Sequence, residues 1–332
     1  VNGPTDPEAT PADIEALASD RASARAARDF ARADELKASI EAAGWKVVDD
    51  GPRYTLTPAH PPDLLADGRV VYGSANSVPS RLGDPTRGLA SAIVLVGDRL
   101  EETLSTVRAI AASTGSDVDV VLVVADGAVA RAAIMDGLAE ATGSPAVDVG
   151  GGDEQASGRL VEVLWTGDSM SLGGSLEAGV RRASGAIVAL IEAGAVLEGD
   201  PVSAIEEALG DPTVAVVGSE GLASADLHRF ERSAPEGPVT ALGPTIVALR
   251  RADAGRIEGV DPRLTSYAGV IAWVSLALRE AGASGEVRRA VALDLPVRAR
   301  PIEGGDERGA LVQRRDRYRI AARFGEDPEL TS

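Results

Sequence analysis

The chain has 332 residues, 44% apolar and 25% charged, at a mean hydropathy of +0.02, a composition that suits about two folded domains and excludes a disordered chain. It has no cysteine and two histidines far apart, His60 and His228, which removes disulfides, zinc ribbons, iron–sulfur clusters, thiol catalysis and three-histidine metal sites. A net charge of −18, from 51 acids and 33 bases, opposes the basic surface that nucleic-acid binding draws on, and no apolar run approaches the ~18 residues of a membrane span.

Val1-Asn2-Gly3-Pro4-Thr5-Asp6 has neither a basic nor an apolar signal-peptide region, so a cytoplasmic protein is expected. Residues 1–12 are rich in Pro, Thr and acids and read as a flexible tail. Residues 13–57 read as a helical hairpin followed by a β-hairpin. Asp13 is placed as an N-cap, with Ile14, Leu17 and Ala18 on one face. A second helix carries Phe30, Ala33, Leu36, Lys37 and Ile40 at the three-to-four spacing of one buried stripe, and Gly44 suits a left-handed C-cap. Trp45, Val47, Tyr54 and Leu56 alternate around the turn Asp49-Asp50-Gly51-Pro52. Residues 58–90 hold Pro58, Pro61, Pro62, Pro79 and Pro85 and read as a linker with one short strand at 69–72.

From Ser91 the rhythm changes. Apolar runs at 92–96, 118–124, 160–165, 186–191 and 214–217 alternate with amphipathic helices at 100–112, 128–141, 172–183 and 201–209. Short apolar runs separated by helices describe strands covered on both faces, hence an α/β fold with a mainly parallel mixed sheet. A strand at 245–249, a helix at 271–280 and a strand at 287–293 follow, so this domain is set at 91–300. An Arg-rich helix closes the chain within 301–332. Gly150-Gly151-Gly152 and Gly173-Gly174 lack the strand–GxGxxG–helix setting and read as loops.

Three stretches of the large domain resemble the family 2 glycosyltransferases of the GT-A fold. Gly179–Leu197, with Glu192-Ala193-Gly194 near its end, is similar to the passage in which a strand ends in Asp-x-Asp. Val121–Gly127 is similar to the strand that ends in Asp-Asp-Gly. Asp261-Pro262-Arg263-Leu264 and Trp273–Gly282 resemble the acceptor-side helix. The order and spacing of the three carry the resemblance, which covers about residues 91–296. A separate stretch, Ala27–Leu36 and Gly44–Asp50, resembles the C-terminal helical domain of cysteinyl-tRNA synthetases. Residues 1–58 hold 11 acids and 7 bases, so tRNA binding is not carried over, and protein contact or simple packing is the expected use of that hairpin.

The resemblance implies a Rossmann-like nucleotide-sugar site in which Mg²⁺ or Mn²⁺, held by the Asp-x-Asp, offsets charge on the departing diphosphate, and in which a carboxylate serves as base. It implies Asp98, Asp126 and Glu192 as donor-binding residues, with Glu192 as the one candidate metal ligand. From the residues themselves, Asp98 equally suits an N-cap, Asp126 a turn, and Glu192 a solvated strand end. The chain departs from the pattern at both catalytic places. The second carboxylate of the Asp-x-Asp is Gly194, and no acid lies between Arg263 and Arg279. No catalytic residue is assigned. A weak or absent metal site and a degenerate glycosyltransferase-like domain are expected; the alternatives are an active transferase with a modified metal site and a non-catalytic scaffold or translation-linked adaptor. The segment 308–323 carries six arginines and one acid, Asp316, so either a metal-free diphosphate contact or a surface helix paired to the acidic body is expected there.

Overall fold

The computed structural model describes residues 10–50, 53–97, 99–127, 129–150, 158–233, 236–257, 259–280, 287–299 and 312–330. Asp98, the Gly51-Pro52 turn, Gly151, Gly152 and the 300–311 start of the Arg-rich segment lie outside the described residues. The chain divides into two compact units at Pro62/Asp63. Among the described residues, no helix is long and apolar enough to cross a membrane.

The first unit pairs α1 (Ala12–Ala26) with α2 (Phe30–Ala42), followed by β1 (Trp45–Asp50) and β2 (Arg53–Pro58) in an antiparallel hairpin. Ile14, Ala18 and Ile40 form its core, against Trp45, Val47, Tyr54 and Leu56. Two expectations need correction. The N-cap of α1 is Pro11, and Asp13 stands in the first turn, where its charge meets the helix dipole. On α2, Phe30 and Lys37 face outward, because Ala33, Leu36 and Ile40 suffice for a core this small. Arg21, itself buried, makes a bidentate pair with Asp49 at 2.9 Å, and that guanidinium holds the Asp49 carboxyl down at about 2.

The second unit opens with β3 (Leu64–Ala66) and β4 (Arg69–Tyr72). It continues through β5 (Ala90–Leu95), α3 (Leu100–Ser113), β6 (Val118–Ala125), α4 (Arg131–Thr142), β7 (Val147–Asp148), β8 (Val161–Thr166), α5 (Leu172–Arg181) and β9 (Ile187–Ile191). Next come β10 (Val196–Leu197), α6 (Val202–Leu209), β11 (Val214–Gly218), β12 (Gly221–Ala223), β13 (Glu231–Arg232), β14 (Gly237–Val239), β15 (Ala241–Leu242) and β16 (Ile246–Arg250). The unit ends with α7 (Tyr267–Glu280), β17 (Arg289–Ala292), β18 (Val297–Arg298) and α8 (Arg314–Phe324). Within the expected linker, the strand expected at 69–72 is present as β4, but residues 64–72 extend the large sheet: β3 and β4 form a hairpin whose second strand pairs in parallel with β8. Gly173 and Gly174, expected in a loop, lie in the first turn of α5, where Ser171 caps the Gly174 N–H at 3.1 Å.

The large sheet has the order β14-β17-β11-β16-β9-β5-β6-β8-β4-β3, with β7 on β8. Strands β9, β5, β6, β8 and β4 are mutually parallel, while β16 runs against β9 and β11. Successive side chains alternate between two cores, as the period of two requires. Ile93, Val121, Val123 and Leu190 pack with α5 and α7, whereas Val94, Val120, Leu122 and Ile191 pack with α3, α4 and α6.

One ion pair is buried in this body. Glu162 on β8 receives Arg182 at 2.6 and 3.3 Å and Arg81 at 3.1 Å, and all three side chains are withdrawn from water. Removing one partner of such a cluster strands the others uncompensated. Glu162→Ala is therefore expected to cost about 3–5 kcal/mol in urea unfolding, and a loss below ~1 kcal/mol would contradict this assignment.

Candidate functional site

Parallel pairing brings the carboxyl ends of β9, β5, β6 and β8 to one edge. The chain steps from β5 to β6 to β8, then returns through α5 to β9 on the far side of β5. Such a reversal opens the crevice where ligands sit in open α/β sheets. Asp126-Gly127 follows β6, Gly167-Asp168 follows β8, and Glu192-Ala193-Gly194 follows β9. Gly194 has φ +95°, in the left-handed region, and its N–H donates to Thr106 Oγ1 at 2.9 Å.

Asp126 is at the β6 tip, with its N–H donating to the Thr166 carbonyl at 2.8 Å. Its carboxylate accepts from Arg69 at 2.6 Å. Arg69 lies over the Trp165 ring at 4.5 Å and is buried. Asp126 is thus a partly exposed acid held by an immobilised guanidinium.

Glu192 sits opposite Thr245, whose carbonyl accepts the Glu192 N–H at 3.1 Å. The Glu192 carboxyl is raised to about 7, first by burial and then by the negative charge of Glu220. Tyr267, in the first turn of α7, has its hydroxyl held above the ordinary phenol range by burial and by Glu192. Four buried polar atoms of this patch have no hydrogen-bond partner among the described residues: Tyr267 Oη, Thr245 Oγ1, Ser219 Oγ and Glu220 Oε2. They belong to one place. Ser219 N–H donates to Ile246 O at 3.3 Å, Gly243 N–H donates to Glu220 O at 2.8 Å, and Thr245 directly precedes β16. Leaving such groups unpaired costs about 1–3 kcal/mol each.

The start of α7 is fixed from α8. Asp316, fully buried, accepts from Ser266 N–H at 2.9 Å, Ser266 Oγ at 2.5 Å and Thr265 N–H at 3.1 Å. Gly269 is glycine because a Cβ there would collide with that carboxylate. Tyr267 therefore owes its position to the one acid of the Arg-rich segment.

Hard divalent cations take about six oxygens. The strand tip supplies one carboxylate, on Glu192. Its acidic neighbour Glu220 is drawn to Arg232 at 3.8 Å. Among the described residues no group of three or more acidic or histidine side chains could hold a metal. These donors do not fit a protein-built Mg²⁺ or Mn²⁺ cage, and no chemical step is routed through one.

Of the residues expected at the site, Asp126 and Glu192 stand on the shared edge, and Asp98 is outside the described residues. Glu220, Tyr267 and Arg69 were not expected there. Glu220 was within reach of sequence reasoning, as the first acid after the 214–217 run. Tyr267 and Arg69 had no comparable signal. His228 is exposed, and Trp165 is fully buried.

No protein-family profile matches the chain. Among curated proteins, a cysteine–tRNA ligase of Opitutus terrae (strain DSM 11246 / JCM 15787 / PB90-1) is 47% identical over 60 residues in the amino-terminal part, 18% of this chain and 13% of the ligase. Among solved structures, GalNAc-T7 with UDP, GalNAc and Mn²⁺ aligns at a TM-score of 0.50 and 14% identity, over 74% of this chain and 50% of that one. The mannosyltransferase PcManGT from Pyrobaculum calidifontis, with GDP-Man and Mn²⁺, aligns at 0.45 and 16% identity, over 69% and 61%. TarS 1-349 from S. aureus aligns at 0.44 and 12% identity, over 71% and 70%. The chain thus spans about half the length of GalNAc-T7 and a small part of the ligase. The likeness to GalNAc-T7 shows a GT-A fold, in agreement with the mainly parallel mixed sheet.

Burial of Glu192 has a measurable signature. Its folded pKa of about 7 lies above the ordinary 4.5, so the folded state binds more protons between those values and loses stability as pH rises through them. Glu192→Gln is expected to leave stability near wild type at about pH 5 and to raise it by about 2–3 kcal/mol at about pH 8, measured by urea unfolding. An equal effect at both pH values would show a solvated carboxylate.

Proposed function

We propose that the second unit binds a nucleotide sugar at the carboxyl edge of β9, β5 and β6, and that its transferase site is degenerate in the metal and base positions. The observation that carries this reading is the tip at 192–194: a single withdrawn carboxylate, beside four unpaired buried polar atoms, at the reversal of a GT-A sheet. The polar atoms suit the hydroxyls of a sugar. The nucleotide side is assigned to Asp126, oriented by Arg69, and to Asp98, which follows β5 in sequence. A cytoplasmic location belongs to the same reading. The first unit is proposed to contact a protein partner, supported by the outward-facing Phe30 and Val48, and nucleic acid is not assigned to it.

An active transferase is the second reading, and one observation favours it. A carboxyl near 7 beside a buried phenol has the proton affinity that acid–base work at neutral pH requires. Calorimetry of the full chain with a panel of UDP- and GDP-sugars, with and without Mn²⁺, separates the readings together with a nucleoside diphosphate release assay. The degenerate site predicts donor binding that Mn²⁺ changes less than about threefold, with no diphosphate release. Release that is lost in Glu192→Gln would establish the active reading, and absence of binding across the panel would overturn both.

A further inference from the structure

We infer that the cleft between α8 and the turn leading into α7 is a second binding site, built for a phosphate ester joined to a ring. The cleft is an open depression of about 900 Å³, within the ~300–1,000 Å³ of small-ligand sites. In a chain of net charge −18, its walls carry Arg263, Arg315, Arg319 and Arg323 against one carboxylate, Asp261. Asp261 is shared between Arg263 at 2.8 Å and Arg319 at 3.5 Å, and Arg323 is answered from outside the cleft by Glu280 at 2.7 Å. Counting the buried Asp316 behind Thr265 as well, four guanidinium groups face three carboxylates, which leaves an excess of one positive charge. Arg315 is exposed and makes no hydrogen bond or ion pair among the described residues.

The arrangement differs from an ordinary solvated helix face. Arg315, Tyr318, Arg319 and Arg323 follow the three-to-four spacing of one stripe on α8, and that stripe borders the concavity. The opposite stripe, Asp316, Ile320 and Phe324, is buried, and Asp316 fixes the helix against Thr265 and Ser266. Arg317 leaves the cleft altogether and donates to the His228 carbonyl at 3.2 Å. Guanidinium forks match phosphate oxygens two at a time. The ring of Tyr318 is 55% exposed in the same wall; it meets His228 edge-on at 5.6 Å and Arg314 lies over it at 5.9 Å, and its open surface can stack on a sugar or base. The site uses none of the strand-tip residues, so it stands or falls apart from the nucleotide-sugar reading.

Calorimetry on the full chain at low salt tests it with inorganic phosphate, glucose, glucose 1-phosphate and AMP. At least one of the two esters is expected to bind at least tenfold more tightly than phosphate, and glucose not to bind. An advantage for glucose 1-phosphate identifies a sugar ring, and one for AMP a nucleobase. Arg315→Glu is expected to weaken the ester at least tenfold, and Tyr318→Ala to remove its advantage over phosphate. Both altered cleft residues are exposed, so an unchanged thermal midpoint is expected and shows that the fold is kept. The inference is overturned if neither ester binds, if phosphate binds as tightly, if Arg315→Glu leaves binding intact, or if an RNA oligonucleotide binds through Arg315 more tightly than either ester.

Discussion

Parallel pairing of β9, β5, β6 and β8 is the constraint on which the site depends. It aligns four strand ends on one edge, and the return through α5 opens the crevice between β5 and β9. The two faces of these strands feed separate cores, so the sheet is covered on both sides and its apolar runs are nearly continuous. Inside the sheet, polar side chains such as Glu162 need buried partners, whereas Asp126, Asp168 and Glu192 stand at the edge.

What those residues do is decided by their neighbours. Asp126 is already paired, because Arg69 is pinned between it and Trp165. Glu192 is withdrawn, faces another acid, and has no cation beside it among the described residues. The two acids do not make a pair of equals. Glu220 leans toward Arg232, while Glu192 shares its surroundings with Tyr267. Asp316 then ties this pocket to the far side of α7, since the same carboxylate that orients α8 also fixes the turn that delivers Tyr267. Two surfaces of different chemistry are thereby set by one buried acid.

Much of this was legible in the sequence, and for definable reasons. Runs such as 118–124 and 186–191 are apolar because both sheet faces are covered, so their strands and the α/β class could be read directly. The Glu192-Ala193-Gly194 tip was legible because its position follows from a strand end. The strand at 69–72 could be read, but its hairpin partner at 64–66 and its place in the large sheet could not, since its parallel partner β8 lies about a hundred residues further on. Gly173 and Gly174 were misread for a similar reason: glycine argues for a loop, while the Ser171 cap and packing against Val260 make a helix there. Asp316 looked like one acid among six arginines, and only the fold shows that it is the buried one. Arg69 and Tyr267 reach the site through contacts distant in sequence, which spacing alone does not encode.

The central claim is that the tip of β9 adjoins a sugar-nucleotide site whose protein oxygens are too few to cage a divalent ion. Crystals of the full chain soaked with UDP- and GDP-sugars and Mn²⁺ test it most directly, through the anomalous signal of the ion. The account predicts a nucleotide along the ends of β5, β6 and β9, with no manganese peak held by two or more side chains at that edge. A manganese ion ligated jointly by Glu192 and a second acidic side chain, or a nucleotide lodged away from this edge, would contradict it.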